Sequence, residues 1–136
     1  MSHPKKEKSQ PDLHIQTKLT PFIKNNRIDC ARAHQAARQL NIDPLEIGQQ
    51  LDLLNAKIIH CQLGLFGYDT QKKQLDPTVQ ISLILDTKIS AAQTDSRISC
   101  LKCWQLAKEL SISRLDIASV CEKKGLKIKP CQLGAF

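Results

Sequence analysis

The sequence predicts a mainly α fold with short β strands, arranged as two tandem copies of one unit, and three observations predict it. Only five of the 136 residues are aromatic (Phe22, Phe66, Tyr68, Trp104 and Phe136), so the core has to be built largely from Leu, Ile and Ala. That composition suits helices better than sheets. Residues 27–66 align with 97–136 at an offset of seventy without a gap, and sixteen of the forty positions are identical. Helix-capping residue types fall at matching places in both copies.

The elements follow in chain order. Residues 1–10 are basic and polar and read as a flexible tail. Ile15, Leu19, Phe22 and Ile23 recur at helical spacing, as do Ile81, Ile84, Leu85, Ile89 and Ala92, so each unit opens with a helix. Asp29 and Ser99 are suited to cap helices running to Leu40 and Leu110, with Ala33, Ala36, Ala37 and Leu40 turned inward. After a tight break, Asp43-Pro44-Leu45-Glu46 supplies a cap, a proline at the first helical position and an acid in the first turn. Ser113-Arg114-Leu115-Asp116 repeats that box without the proline. The helices begun there end at Asn55 and Gly125, residue types that tolerate a left-handed cap. Lys57–Cys61 and Lys127–Lys129 then read as short strands, the second limited by Pro130, which has no N–H to donate.

Both copies close on the same motif, Cys61-Gln62-Leu63-Gly64-Leu65-Phe66 and Cys131-Gln132-Leu133-Gly134-Ala135-Phe136. Glycine there predicts a bend and phenylalanine an anchor in the core. If the two motifs meet across a pseudo-two-fold axis, the short strands pair with one another and the chain becomes an internal dimer. The organisation expected is a tail at 1–10, a first repeat at 11–67, a linker at 68–77 and a second repeat at 78–136.

Ala37, Asn41-Ile42 and Ile47, and again Ala107, Ser111-Ile112 and Ile117, stand at the spacing of a helix-turn-helix. The alanine lets two helices cross closely, and the β-branched residue anchors the second helix beneath the turn. With a helix before and a strand after, the chain resembles tandem winged-helix or related helix-turn-helix regulators. It departs from them at the turn, where glycine is usual. The resemblance implies two tandem helix-turn-helix-like repeats, each about three helices plus a short strand, that bind duplex DNA in the manner of a transcription regulator. Pro44–Leu54 and Arg114–Lys124 would then be recognition helices. With Ile47, Leu51 and Leu54 inward, Glu46, Gln49, Gln50 and Leu53 face out, as do Asp116, Ser119 and Lys123 in the second copy, with Arg114 at its start. The candidate DNA contacts are Gln49, Gln50, Arg114 and Ser119 for the bases, and Lys123, Lys124, Lys127 and Lys129 for the backbone.

Charge agrees with that expectation. Lys and Arg number 20 against 13 Asp and Glu, a net +7 that attracts polyanions. Residues 97–136 hold eight basic and three acidic residues, whereas 27–66 hold four of each, so the second copy is the expected phosphate binder and the first would support it or dimerise. No apolar run approaches membrane-spanning length and no signal core opens the sequence, so a cytoplasmic protein with reduced thiols is expected, its partner duplex DNA and not a membrane. Cys100, Cys103, Cys121 and Cys131 have weak zinc spacing, and the aligned Cys30, Ala33, Leu51 and Cys61 keep only two of the thiols, so no metal is expected. Cys30 and Cys100, just inside helix starts, could act as redox-sensing thiolates. Histidines at 3, 14, 34 and 60 are scattered and no Gly-rich phosphate loop is present, which argues against catalysis and against a nucleotide cofactor. The competing readings are a protein-interaction adaptor and a thiol-based sensor, and self-association as a homodimer or within the chain fits any of the three.

Overall fold

A computed structural model describes residues 10–69 and 73–136. Residues 1–9 of the expected 1–10 tail, and 70–72 in the middle of the expected linker, lie outside the described residues. The first copy runs α1 (Leu13–Leu19), a 3-10 turn (Thr20–Phe22), β1 (Arg27–Asp29), α2 (Cys30–Leu40), α3 (Pro44–Leu53) and β2 (Lys57–Ile59). The second runs α4 (Leu83–Ala92), β3 (Arg97–Ile98), α5 (Cys100–Leu110), α6 (Arg114–Lys123) and β4 (Lys127–Ile128). The fold is mainly α with short β strands, and α2, α5 and the starts of α3 and α6 lie where the caps put them.

The turns explain themselves locally. Asn41 and Ser111 both take left-handed backbone between the paired helices, so serine accepts the conformation expected of asparagine. Asn55 and Gly125 do the same after the second helices. The Asp43 carboxylate accepts from Leu45 N–H at 2.9 Å, and Ser113 Oγ accepts from Asp116 N–H at 3.0 Å. Ser99 Oγ caps α5 through Lys102 N–H at 3.0 Å, whereas Asp29 turns away from α2 and its carboxylate meets His60 Nδ1 at 2.7 Å. Asp29 and His60 align with Ser99 and Pro130, so the copy that lacks the histidine uses the hydroxyl as a cap.

Each copy carries two short strands, not one. β1 pairs with β2 and β3 with β4, both parallel, with Arg27 beside Lys57 and Arg97 beside Lys127. The strands therefore pair inside each copy and not across the axis, which corrects the expectation of a shared ribbon. The reason is the tight turn before each first strand. Asn25-Asn26 and Asp95-Ser96 are both left-handed at two successive residues, and they hold Lys24 to Arg27 and Thr94 to Arg97 by paired backbone bonds of 2.8–2.9 Å. That turn aims β1 and β3 at the strand of their own copy.

The closing motifs do cross over. Each is a turn clamped by backbone bonds, Cys61 N–H to Phe66 O at 3.1 Å and Cys131 N–H to Phe136 O at 2.9 Å. Cys61 and Leu63 lie in the core formed by α4, α5 and α6, and Cys131 and Leu133 lie in the core formed by α1, α2 and α3. Both leucines are essentially inaccessible to solvent. Equivalent residues touch at the junction: the Phe66 and Phe136 rings meet edge to face at 5.8 Å, and the His34 and Trp104 rings lie 4.3 Å apart. Residues related by a pseudo-two-fold axis can touch each other only near that axis, so these pairs mark where it passes.

Gly48 fits this crossover closely. A Cβ on it would stand 1.8 Å from the Leu133 carbonyl oxygen. Gly48→Ala is expected to destabilise the protein by at least the roughly 1–3 kcal/mol typical of overpacking, and Leu133→Ala by about 2–5 kcal/mol through the cavity it leaves. Urea denaturation measures both, as a lower midpoint of one transition; two separated transitions would contradict the crossover.

Candidate nucleic-acid interface

Of the eight residues expected to contact DNA, five bond to other parts of the protein and a sixth is half-buried. Gln50 is 1% exposed. Its Oε1 accepts from Asp12 N–H and Gln16 Nε2, both at 3.0 Å, and its Nε2 donates to Gln10 O at 2.9 Å and Glu46 Oε2 at 3.1 Å. All four bonds of the amide are used, leaving none for a base. Ser119, 2% exposed, donates to Leu115 O at 2.9 Å and accepts from Asp76 N–H at 2.8 Å. Arg114 lays its guanidinium 3.6 Å over the Trp104 ring and donates to Gln62 Oε1 at 3.2 Å. Lys123 Nζ donates to Val79 O at 3.1 Å, and Lys124 pairs with Asp86. Gln49 is half-buried.

The outward face assigned to α3 and α6 was therefore wrong at Gln50 and Ser119. The chain just before α1 crosses α3 at Gln50, and residues 74–79 cross α6. The linker expected at 68–77 is thus bound at its far end, with Leu75 packed on the second core and Gln74 N–H bonded to Gly64 O at 2.7 Å. The alignment held a signal for this. Position 50 aligns with Val120, which is fully buried, and an apolar partner at an aligned position marks a covered face.

Lys127 and Lys129 remain, and they belong to a surface the helix-centred reading missed. The side chains of Arg27, Lys57, Arg97 and Lys127 are exposed, and none is ion-paired with another described residue. The register puts them in two basic pairs, Arg27 with Lys57 and Arg97 with Lys127, one strand spacing or about 4.8 Å apart. A cleft of about 550 Å³ runs beside Lys127, Lys129 and Phe136, and one of about 440 Å³ beside Arg27, Lys57 and Tyr68. They share Leu65 and Phe66 as a wall, so one furrow links the two ribbons across the axis. Acidic groups lie at its edges: Asp69 in the cleft beside Arg27, and Glu122, paired with Lys73 at 3.0 Å, in the cleft beside Lys127. Comparison with known protein families, curated proteins and solved structures found no match.

Burial opposes the thiolates expected at Cys30 and Cys100. All six cysteines are free and buried. Burial pushes the Cys30 thiol up to about 12 and the Cys100 thiol up to about 11, against weaker help from the Gln62 backbone and from the Gln132 side chain and backbone. The helix starts expected to favour thiolates are present, but desolvation outweighs them. Cys103 on α5 donates to Cys121 on α6 and is raised by that bond and by burial. Among the described residues no cluster suited to a metal brings the four second-copy thiols together. Nor is any helix of the described residues long and apolar enough to cross a membrane.

Two outcomes follow. Gln50→Ala leaves buried partners unpaired and should cost about 1–3 kcal/mol in a denaturation midpoint. Because Cys30 and Cys100 have raised values, the protonated form dominates below them and reactivity rises only as pH approaches 11–12. Iodoacetamide at pH 8 should leave both unmodified in the native protein, and mass spectrometry should find them alkylated once urea is added.

Proposed function

We propose that the protein binds duplex DNA through its two basic ribbons and the furrow between them, as a regulator of the helix-turn-helix type whose second helices are braces and not readers. One observation carries this: the exposed cations Arg27 with Lys57 and Arg97 with Lys127, none ion-paired with another described residue, occupy equivalent strands on either side of the pseudo-two-fold axis. Duplex DNA has two-fold axes of its own, so two ribbons related in this way can meet the two phosphate backbones equivalently. Lys129 adds a cation on the second side, in keeping with the excess of basic residues there. Such contacts position a protein on DNA without reading sequence. Specificity would come from groups lining the furrow, and the half-buried Gln49 on α3 lines neither of its clefts.

The role is one of binding without catalysis. His34 is buried and held neutral, and His60 is occupied by Asp29. A second reading, a surface for another protein or for a second copy, draws on a different observation. Leu13 and Leu83 occupy equivalent positions and are 75% and 82% exposed, with Ile84 at 60% beside Leu83.

Anisotropy of a labelled random duplex across a salt series separates the readings. The DNA reading expects a log–log slope of about −4, each neutralised phosphate contributing roughly −0.9. Lys57→Glu with Lys127→Glu should lower affinity more than tenfold and flatten the slope by about 2, while Gln49→Ala changes neither. Binding that survives the double reversal, or no binding at low salt, would overturn the proposal.

A further inference from the structure

The furrow between the ribbons has a divider. Leu65 and Phe66 line both of its clefts, the one of about 550 Å³ beside Lys127 and the one of about 440 Å³ beside Arg27, so they stand as an apolar ridge between the two. The Phe136 ring extends the ridge at the axis, edge to face with Phe66 at 5.8 Å. Leu65 and Phe66 are half-buried and packed on the second core, and the Cys61 N–H to Phe66 O bond of 3.1 Å closes the turn that carries them. Gly64 seats that turn, because a Cβ there would stand 2.4 Å from Leu115 Cδ1 on α6. The ridge is thus fixed before any partner arrives. The copies differ at its tip, where Leu65 aligns with the smaller Ala135.

With one phosphate backbone in each cleft, the ridge lies in the groove between the backbones, and its width and its chemistry decide which groove that is. A ridge one pair of side chains thick suits the minor groove, about 6 Å across, and would leave the major groove, about 12 Å across and able to admit a helix, largely unfilled. Leu, Phe and Phe side chains hold neither donor nor acceptor, so they cannot use the donor and acceptor code of the major groove. At the minor-groove floor every base pair presents acceptors, and a G·C pair alone adds a donor, the guanine N2 amino group. An apolar ridge seated over that group leaves it unpaired. The flanking charges favour the second cleft, where Lys127 and Lys129 face phosphate and Glu122 is held by Lys73, over the first, where Asp69 opposes Arg27 and Lys57.

We propose that the ridge of Leu65 and Phe66 enters the minor groove of the duplex, one backbone lying in each cleft, and that it selects A·T over G·C pairs by rejecting the guanine amino group. This assignment, which rests on the furrow binding duplex DNA, adds the groove and the class of base pair. The basic ribbons hold the backbones and Leu65, the larger tip, meets the bases.

Three labelled duplexes of equal length are titrated with the full chain at one salt concentration: an A·T-rich duplex, a G·C-rich duplex, and the G·C-rich sequence with inosine in place of guanine. Inosine lacks the N2 amino group, so the third duplex has the major-groove face of the second and the minor-groove face of the first. The A·T and inosine duplexes should bind alike, each about tenfold tighter than the G·C duplex. Leu65→Ala, which gives the ridge the size of its Ala135 counterpart, should bring the three affinities together and leave the salt slope unchanged, since the phosphate contacts remain. An inosine duplex bound no better than the G·C duplex, or equal binding of all three by the native protein, would overturn the minor-groove assignment and leave DNA binding standing. A preference that persists in folded Leu65→Ala would overturn the ridge as its source. Absence of binding to all three would overturn the DNA reading and this assignment together. The inosine comparison uses the native protein, so it decides the groove even if Leu65→Ala does not fold.

Discussion

Two six-residue turns, each closing the core of the other copy, are the constraint from which the rest of the molecule follows. A unit of about sixty residues buries too little surface to be secure alone. Here Leu63 completes the second core and Leu133 the first, so neither copy has a finished interior without the other. The cysteines just ahead of these leucines go with them, which is why Cys61 and Cys131 are buried although they follow short, half-exposed strands. The same crossover brings Phe66 against Phe136 and fixes the spacing of the two ribbons. The furrow between them is a by-product of how the cores are closed.

The repeat made much of the fold legible. Caps at Asp43, Ser99 and Ser113, and left-handed residues at Asn55 and Gly125, gave helix limits because these signals act within a few residues of themselves. Periodicity failed at Gln50 and Ser119 because it reports which side of a helix is apolar, not which distant segment lies across a polar side. A glutamine amide with all four bonds met is as well buried as a leucine, and no local pattern distinguishes it from an exposed one. The first strands were hidden for a related reason. Arg27–Asp29 is too short to show a strand pattern of its own, and the turn signal lies in the two consecutive left-handed residues before it. At the candidate interface, Lys127 and Lys129 were legible as charges, but their partners Arg27, Lys57 and Arg97 emerge only from strand register.

Differences between the copies carry as much meaning as their likeness. Trp104 and Arg114 fill one side of the junction, where His34 and Pro44 leave the other open. Cys103 and Cys121 bond each other where Ala33 and Leu51 simply pack. His60 takes the Asp29 carboxylate, whereas Ser99, the counterpart of Asp29, uses its hydroxyl as a helix cap. In each case one scaffold position has been kept and its chemistry changed. Duplication thus supplies a symmetric frame, and a handful of substitutions near the axis make its two halves unequal.

Because each copy closes the other, the copies should open together. Native-state hydrogen exchange on Leu63→Ala tests this most directly, since that residue belongs to the first copy in sequence and to the second core in space. The account predicts that the slowest amides of α2 and α5 share one opening free energy and lose protection by the same amount in the variant. Loss confined to α5, with α2 unchanged, would show two independently stable units and contradict it.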